Sequence, residues 1–256
     1  VATGGARGDV VHATSDGRLL ISQSGQVDVV APATVPAVVA TNPPAGSNAV
    51  LPMPFLTVTF DQDMFVGAAS DAASVTNRQY YELTDDSGKT HAIRSVSYDA
   101  ATRTAVLEVG TLLAGNYRLT VKSGLAAATG QRMAVNYQSA FQAYDDISML
   151  VDVVFSDTRM DRLTGTISYK VTITNRTDGP ITLPALLTID PLGGFPGVPT
   201  DASGRTDDGR WLVDLASALP PGGVLEAGQS TSGRTVSITA PGDRRLEFAA
   251  GIVAGT

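Results

Sequence analysis

The chain has 256 residues, two histidines, no cysteine, and 18 basic against 25 acidic side chains, for a formal charge of −7. That balance lacks the basic footprint that nucleic acid or anionic lipid requires, so neither is an expected partner. The missing cysteine removes disulfides, thiolate zinc sites and cysteine nucleophiles together. The 26 glycines and 14 prolines favour strands joined by tight turns over helices.

No run approaches the ~18 apolar residues of a transmembrane helix, so no membrane span is expected. Residues 1–30 show no basic stretch leading into an apolar one, so no signal peptide is read there, and the start at Val1 reads as a processed form or a fragment. Val10–Thr14 and Leu19–Ser22 flank Ser15-Asp16-Gly17-Arg18, a hairpin turn signal. A third short strand, Gln26–Val30, follows Gly25. Three such strands are too few for a sheet stable alone. This phrasing resembles the last blade of a β-propeller; otherwise the strands are expected to pack on the next domain or on another molecule. Arg7-Gly8-Asp9 spells an integrin-binding tripeptide, but in a glycine-rich terminus chance explains it.

Pro36, Pro43 and Pro44 lack amide donors and confine the run Ala37–Ala40 to a sheet edge. Gly46 and Asn48 supply turn chemistry. Leu56, Val58 and Phe60 then alternate with Thr57, Thr59 and Asp61, the period of a half-buried strand. Further strands are predicted over 79–83, 92–98, 105–109, 116–122 and 138–143, while 64–75 has room for a single helical turn. Short strands spaced by roughly 8–12 residues match an immunoglobulin-like sandwich.

Three landmarks carry a more specific likeness: Thr41-Asn42-Pro43-Pro44-Ala45-Gly46, Val58–Met64, and Leu112–Val121 followed by Gly124-Leu125, Gly130 and Phe141. Over 36–143 the chain resembles the bacterial Ig-like domain first described in surface-layer proteins, the SbsA type. Gly110-Thr111 stands where that pattern often has a proline. The resemblance implies a spacer or surface-protein module and carries no active site with it.

Tyr144-Asp145-Asp146 reads as a hinge. Beyond it, 149–155 and 164–175 alternate strongly, with Ile167, Tyr169, Val171 and Ile173 on one face. A strand over 181–189, a long loop over 190–210, and strands at 211–215, 235–238 and 246–250 complete a second sandwich, which loosely resembles fibronectin- or CARDB-like modules of bacterial exoproteins. The expected fold is therefore all-β: tandem Ig-like β-sandwiches over 35–143 and 144–256, preceded by a short N-terminal hairpin segment over 1–34.

Catalytic signals are missing. His12 and His91 have no nucleophile or carboxylate at motif spacing, and neither a Gly-x-Ser-x-Gly elbow nor a His-Glu-x-x-His stretch occurs. Among the acids, Asp61 with Asp63, Asp145 with Asp146, and Asp207 with Asp208 stand in close pairs. Solvated turn carboxylates are the simpler reading. Calcium is the functional one, because it takes several oxygen ligands, and Asp145, Asp146, Asp207 and Asp208 are its candidates. Asn175-Arg176-Thr177 spells a glycosylation acceptor but reads as a turn, and the single tryptophan, Trp211, reads as core.

The function expected is a non-catalytic structural or interaction segment of a secreted or cell-surface bacterial protein: a spacer, an adhesin-like or surface-layer module, or a self-assembling filament subunit. An accessory module of an exported enzyme is the alternative. The partners expected are proteins or further copies of the chain, with polysaccharide as another class.

Overall fold

A computed structural model describes residues 10–15, 18–23, 25–30, 34–182, 185–191, 197–239 and 246–255. The chain is all-β, built from several sheets. Strands β1 (Val10–Ala13), β2 (Leu19–Gln23) and β3 (Gln26–Val30) form an antiparallel meander.

The first sandwich follows with β4 (Val38–Asn42), β5 (Asn48–Val50) and β6 (Phe55–Phe60). A 3₁₀ turn, Arg78–Tyr80, leads into β7 (Tyr81–Asp85), β8 (Thr90–His91), β9 (Ile93–Asp99), β10 (Thr104–Val109), β11 (Gly115–Val121) and β12 (Tyr137–Asp146). One sheet runs β4-β6-β10-β9 and the other β8-β7-β11-β12, with β5 added in parallel along β12. The proline-flanked β4 is an edge strand, as its missing donors require. Leu56, Val58 and Phe60 point into the core with Leu83, Leu107, Leu119 and Phe141. Each such side chain contributes about 1.5–3 kcal/mol on burial. Gly46 takes φ +76° in the turn before β5, a conformation that favours glycine. The Tyr117 hydroxyl donates to Leu113 O at 2.9 Å and pins the loop entering β11.

The second sandwich contains β13 (Val151–Asp161), β14 (Thr166–Asn175), β15 (Ile181–Thr182), β16 (Ala185–Pro191), β17 (Val198–Pro199), β18 (Ala202–Arg205), β19 (Trp211–Asp214), β20 (Val224–Leu225), β21 (Arg234–Thr239) and β22 (Phe248–Ala254). Sheet β13-β14-β21-β17 packs on β18-β19-β16-β22, with Val171, Ile173, Leu187, Ile189, Val236 and Ile252 buried between them. Strands β15 and β20 make a small separate pair. Val171 and Ile173 are buried, and Ile167 and Tyr169 are partly so, as their alternation in the sequence implies.

The backbone differs from the sequence reading at three places. The expected hinge, Tyr144–Asp146, lies inside β12, because Asp145 and Asp146 pair with Ala254 and Val253 of β22. The two sandwiches thereby share one nine-stranded sheet. Val50, Tyr144, Leu186, Leu212 and Val253 pack together along the seam. The expected loop 190–210 includes β17 and β18, which add to β21 and β19. Strands of two and four residues are too short to show a period. No helical turn forms over 64–75; the turn comes later, at Arg78–Tyr80, where Asn77 caps it by accepting from Gln79 N. Part of the strand expected over 181–189 lies outside the described residues.

Candidate functional site

The N-terminal meander presents the first candidate surface. The Thr14 hydroxyl closes its first hairpin by donating to Arg18 O and accepting from Arg18 N, each at 3.1 Å. The register places Val11 opposite Ile21, and Ala13 opposite Leu19, which itself faces Val30. On the other face Ser22 lies between Val10 and Val27, and Leu20 between His12 and Val29. Both faces are therefore rich in aliphatic side chains. A sheet with one solvated face alternates apolar and polar residues, whereas strands covered on both faces read as continuous apolar runs. These strands follow the second pattern, yet Val10, Val27 and Val29 are 63%, 61% and 56% exposed. Among the described residues the meander is hydrogen-bonded to no other sheet.

The seam between the sandwiches holds the four carboxylates considered for calcium. Asp145 and Asp146 sit on β12, where Asp146 Oδ1 accepts from Ser148 N at 2.9 Å. The loop carrying Asp207 and Asp208 folds back to the same place: Asp207 N donates to Asn48 O at 2.8 Å, and Asn48 Nδ2 donates to Arg205 O at 3.0 Å. Arg210 organises the charges. Its Nη2 lies 2.8 Å from Asp208 Oδ2. Burial lowers the guanidinium pKa, but the hydrogen bond and charge of Asp208, with the charges of Asp146 and Asp190, raise it on balance. Burial also pushes the Asp207 carboxyl up, aided by Asp208. Burial would raise Asp208 as well, but hydrogen bonds from Arg210 and Thr206 bring it below its usual value. The structure thus sets Asp146, Asp207 and Asp208 around one arginine, while Asp145 lies on the Tyr117 side of β12. Among the described residues, no three acidic or histidine side chains converge as metal ligands.

The remaining marked residues serve the fold. His91 Nε2 donates to Asp85 Oδ2 at 2.9 Å, and the ring meets Tyr117 edge-on. Asp85 is brought down to about 2 by a hydrogen bond from Ser87 and then by His91. His12 stays exposed on β1. Asp61 accepts from Ala37 N at 3.0 Å, and Asp63 pairs with Arg103 at 3.2 Å. Asn175 is 1% exposed. Its amide donates to Gly179 O and Leu225 O at 2.8 Å each while Oδ1 accepts from Thr177, so no group remains for a glycan. Trp211 is half-buried, and the Arg205 guanidinium covers one ring face at 3.5 Å. Arg7-Gly8-Asp9 lies outside the described residues. Sequence reasoning missed Arg210, which holds Asp208 two residues away, and read Asn48 only as a turn residue, although it reaches Arg205 and Asp207 from far along the chain.

Residues 32–143 match the family model described as bacterial Ig-like domain. No curated protein matches the sequence. Several solved structures share partial likeness. CopC from Methylosinus trichosporium OB3b is 16% identical over 43% of this chain and 94% of that one, with a TM-score of 0.32. PcoC from Escherichia coli, a methionine-rich copper resistance protein, is 18% identical over 43% and 99%, with a TM-score of 0.32. The N-terminal part of the bacterial S-layer protein SbsC is 12% identical, over 87% of this chain and 44% of that one, at 0.33. The family match starts just before β4 and stops within β12, so it covers the first sandwich whole: residues 32–143 of this chain are a bacterial Ig-like domain.

Proposed function

We propose that the chain is a non-catalytic structural segment of a secreted or cell-surface bacterial protein, and that copies of it associate through the N-terminal meander. The Ig-like domain supports the first part of that reading. The observation that carries the second is a three-stranded sheet with aliphatic side chains on both faces that, among the described residues, pairs with no other sheet and leaves Val10, Val11, Val27 and Val29 exposed. A second copy supplies a matching aliphatic face, and β1 and β3 offer free backbone edges for strand addition. Among the described paired residues of the three strands only His12 and Asp28 are ionisable, so these faces carry little charge against an acidic whole.

The reading includes no enzymatic activity and no resident cofactor. It is supported by the engagement of His91 with Asp85 and of the seam carboxylates with Arg210. Light scattering and small-angle scattering on the full chain, with and without calcium, test it. Defined oligomers or filaments are expected, unchanged by calcium and lost on deletion of residues 1–31. A monodisperse monomer, or oligomers that survive the deletion, would falsify self-association through this segment.

A further inference from the structure

A groove of about 410 Å³ opens at the edge of the first sandwich, between the loop before the 3₁₀ turn and strand β9. Ser70, Thr76, Asn77, Arg78, Gln79 and Arg94 line it. Both walls are rigid for identifiable reasons. On one side the segment Gly67–Asn77 is tied to itself: the fully buried Ser74 Oγ accepts from Gly67 N at 3.0 Å and Thr76 N at 3.2 Å, and Asn77 Nδ2 donates to Asp71 O at 3.1 Å. Ala73 holds φ +78° there while 3% exposed, a strained backbone that persists only where surroundings over-determine it. Compact self-bonded loops of this kind are frequently functional.

On the other side Arg94 is the extra residue of a β-bulge. Ile93 pairs with Val109 and Ser95 with Glu108, leaving Arg94 without a cross-strand partner. Bulges re-aim side chains, and the Arg94 guanidinium comes to lie beside Gly110. Arg94 also lines an adjoining depression of about 140 Å³ beside Pro52, Met53 and Pro54, so it stands where two hollows meet.

Acids exceed basic side chains by seven, and Arg103, Arg176, Arg210 and Arg234 each pair with a carboxylate. Among the described residues Arg78 and Arg94 do not: Arg78 Nη1 reaches Arg94 O at 3.5 Å, and the nearby acids are engaged elsewhere. Asp71 accepts from Ala68 N at 2.7 Å, and Glu108 from the Ser95 hydroxyl at 2.7 Å.

We propose that this groove binds an acidic polysaccharide. Arg78 and Arg94 hold its carboxylate or sulfate groups through planar, forked donors. Side-chain hydroxyls of Ser70 and Thr76 and the amide of Gln79 meet sugar hydroxyls. The volume lies within the range of small-ligand clefts, and two guanidinium groups on a chain of charge −7 are too few for a nucleic-acid backbone. The site is remote in sequence from the N-terminal meander, so it stands or falls independently of self-association.

Isothermal titration of the full chain with polygalacturonate, dextran sulfate and neutral dextran tests the proposal, the first two separating uronate from sulfate ester as the anion. Binding to at least one acidic polymer, none to dextran, and weakening with salt are expected. The pair Arg78→Ala with Arg94→Ala is expected to weaken binding by roughly tenfold or more, with an unchanged thermal melt because both side chains are exposed. The charge-matched pair Arg118→Ala with Arg132→Ala, exposed outside the groove, is expected to stay within about twofold, since only screened long-range charge is altered. No binding to either acidic polymer, equal binding to dextran, or equal losses in the two double variants would overturn the assignment.

Discussion

The N-terminal meander and the seam between the sandwiches are built from similar residues. Val10, Val11, Leu20, Ile21 and Val29 make the one; Val50, Tyr144, Leu186, Leu212 and Val253 make the other. At the seam these side chains are buried or half-buried, because β5, β12, β22, β16 and β19 run side by side in one sheet and set them against one another. In the meander Val10, Val11 and Val29 are exposed and Leu20 and Ile21 half-buried, and among the described residues the three strands pair with no other sheet. Apolar pattern thus tells which strands need cover. The source of the cover is a matter of topology.

Substitutions sharpen this contrast. Leu212→Ala at the seam is expected to cost about 2–5 kcal/mol in a urea titration, since it leaves a cavity where two sandwiches meet. If the cost is below about 1 kcal/mol, the seam is not tightly packed. Asn175→Ala is expected to cost about 2–3 kcal/mol by the same measurement, because the buried Leu225 carbonyl and the Thr177 amide lose their partner, while Thr177 Oγ1 and Gly179 O keep each other.

The β7–β8 hairpin is held by polar contacts where the meander has exposed aliphatics. The Asp85 carboxyl there is lowered from 3.8 to about 2. A depressed folded value means its contribution is complete above the unfolded value and is lost as pH falls through the folded one. Stability measured from pH 5 down to pH 2 should therefore decline, and the Asp85→Asn chain should show a shallower decline. Equal slopes would mean that Asp85 is not the group responsible. Val29→Ser in the meander is expected to change monomer stability least, by under about 0.5 kcal/mol, while reducing self-association in light scattering. A large loss of stability instead would mean that the meander packs against its own chain.

Much of the fold was legible in local pattern. Leu56, Val58 and Phe60 declared their strand by alternation, and Pro36, Pro43 and Pro44 declared an edge by their missing donors. The parallel pairing of β5 with β12 was not legible, because three residues have no measurable period and their partners lie more than ninety positions away. The same holds for the sites. Asp145, Asp146, Asp207 and Asp208 were visible as acidic pairs, but the guanidinium that gathers three of them, Asp146, Asp207 and Asp208, was not. Nor was Arg94, which differs from other exposed arginines only in standing at a bulge, and a bulge exists only once two strands have paired.

The shared sheet also fixes how the chain would carry tension. It enters the second sandwich at Ile147, whose amide donates to Ile252 O at 2.9 Å, and leaves at Ala254, opposite Asp145. Entry and exit therefore lie side by side, with Gly255 against the Tyr144 ring. A pull applied across residues 34–255 would run through the first sandwich and across this one rung, while the second sandwich hangs beside the line of force as an unloaded branch. It would join that line only after the rung had unzipped.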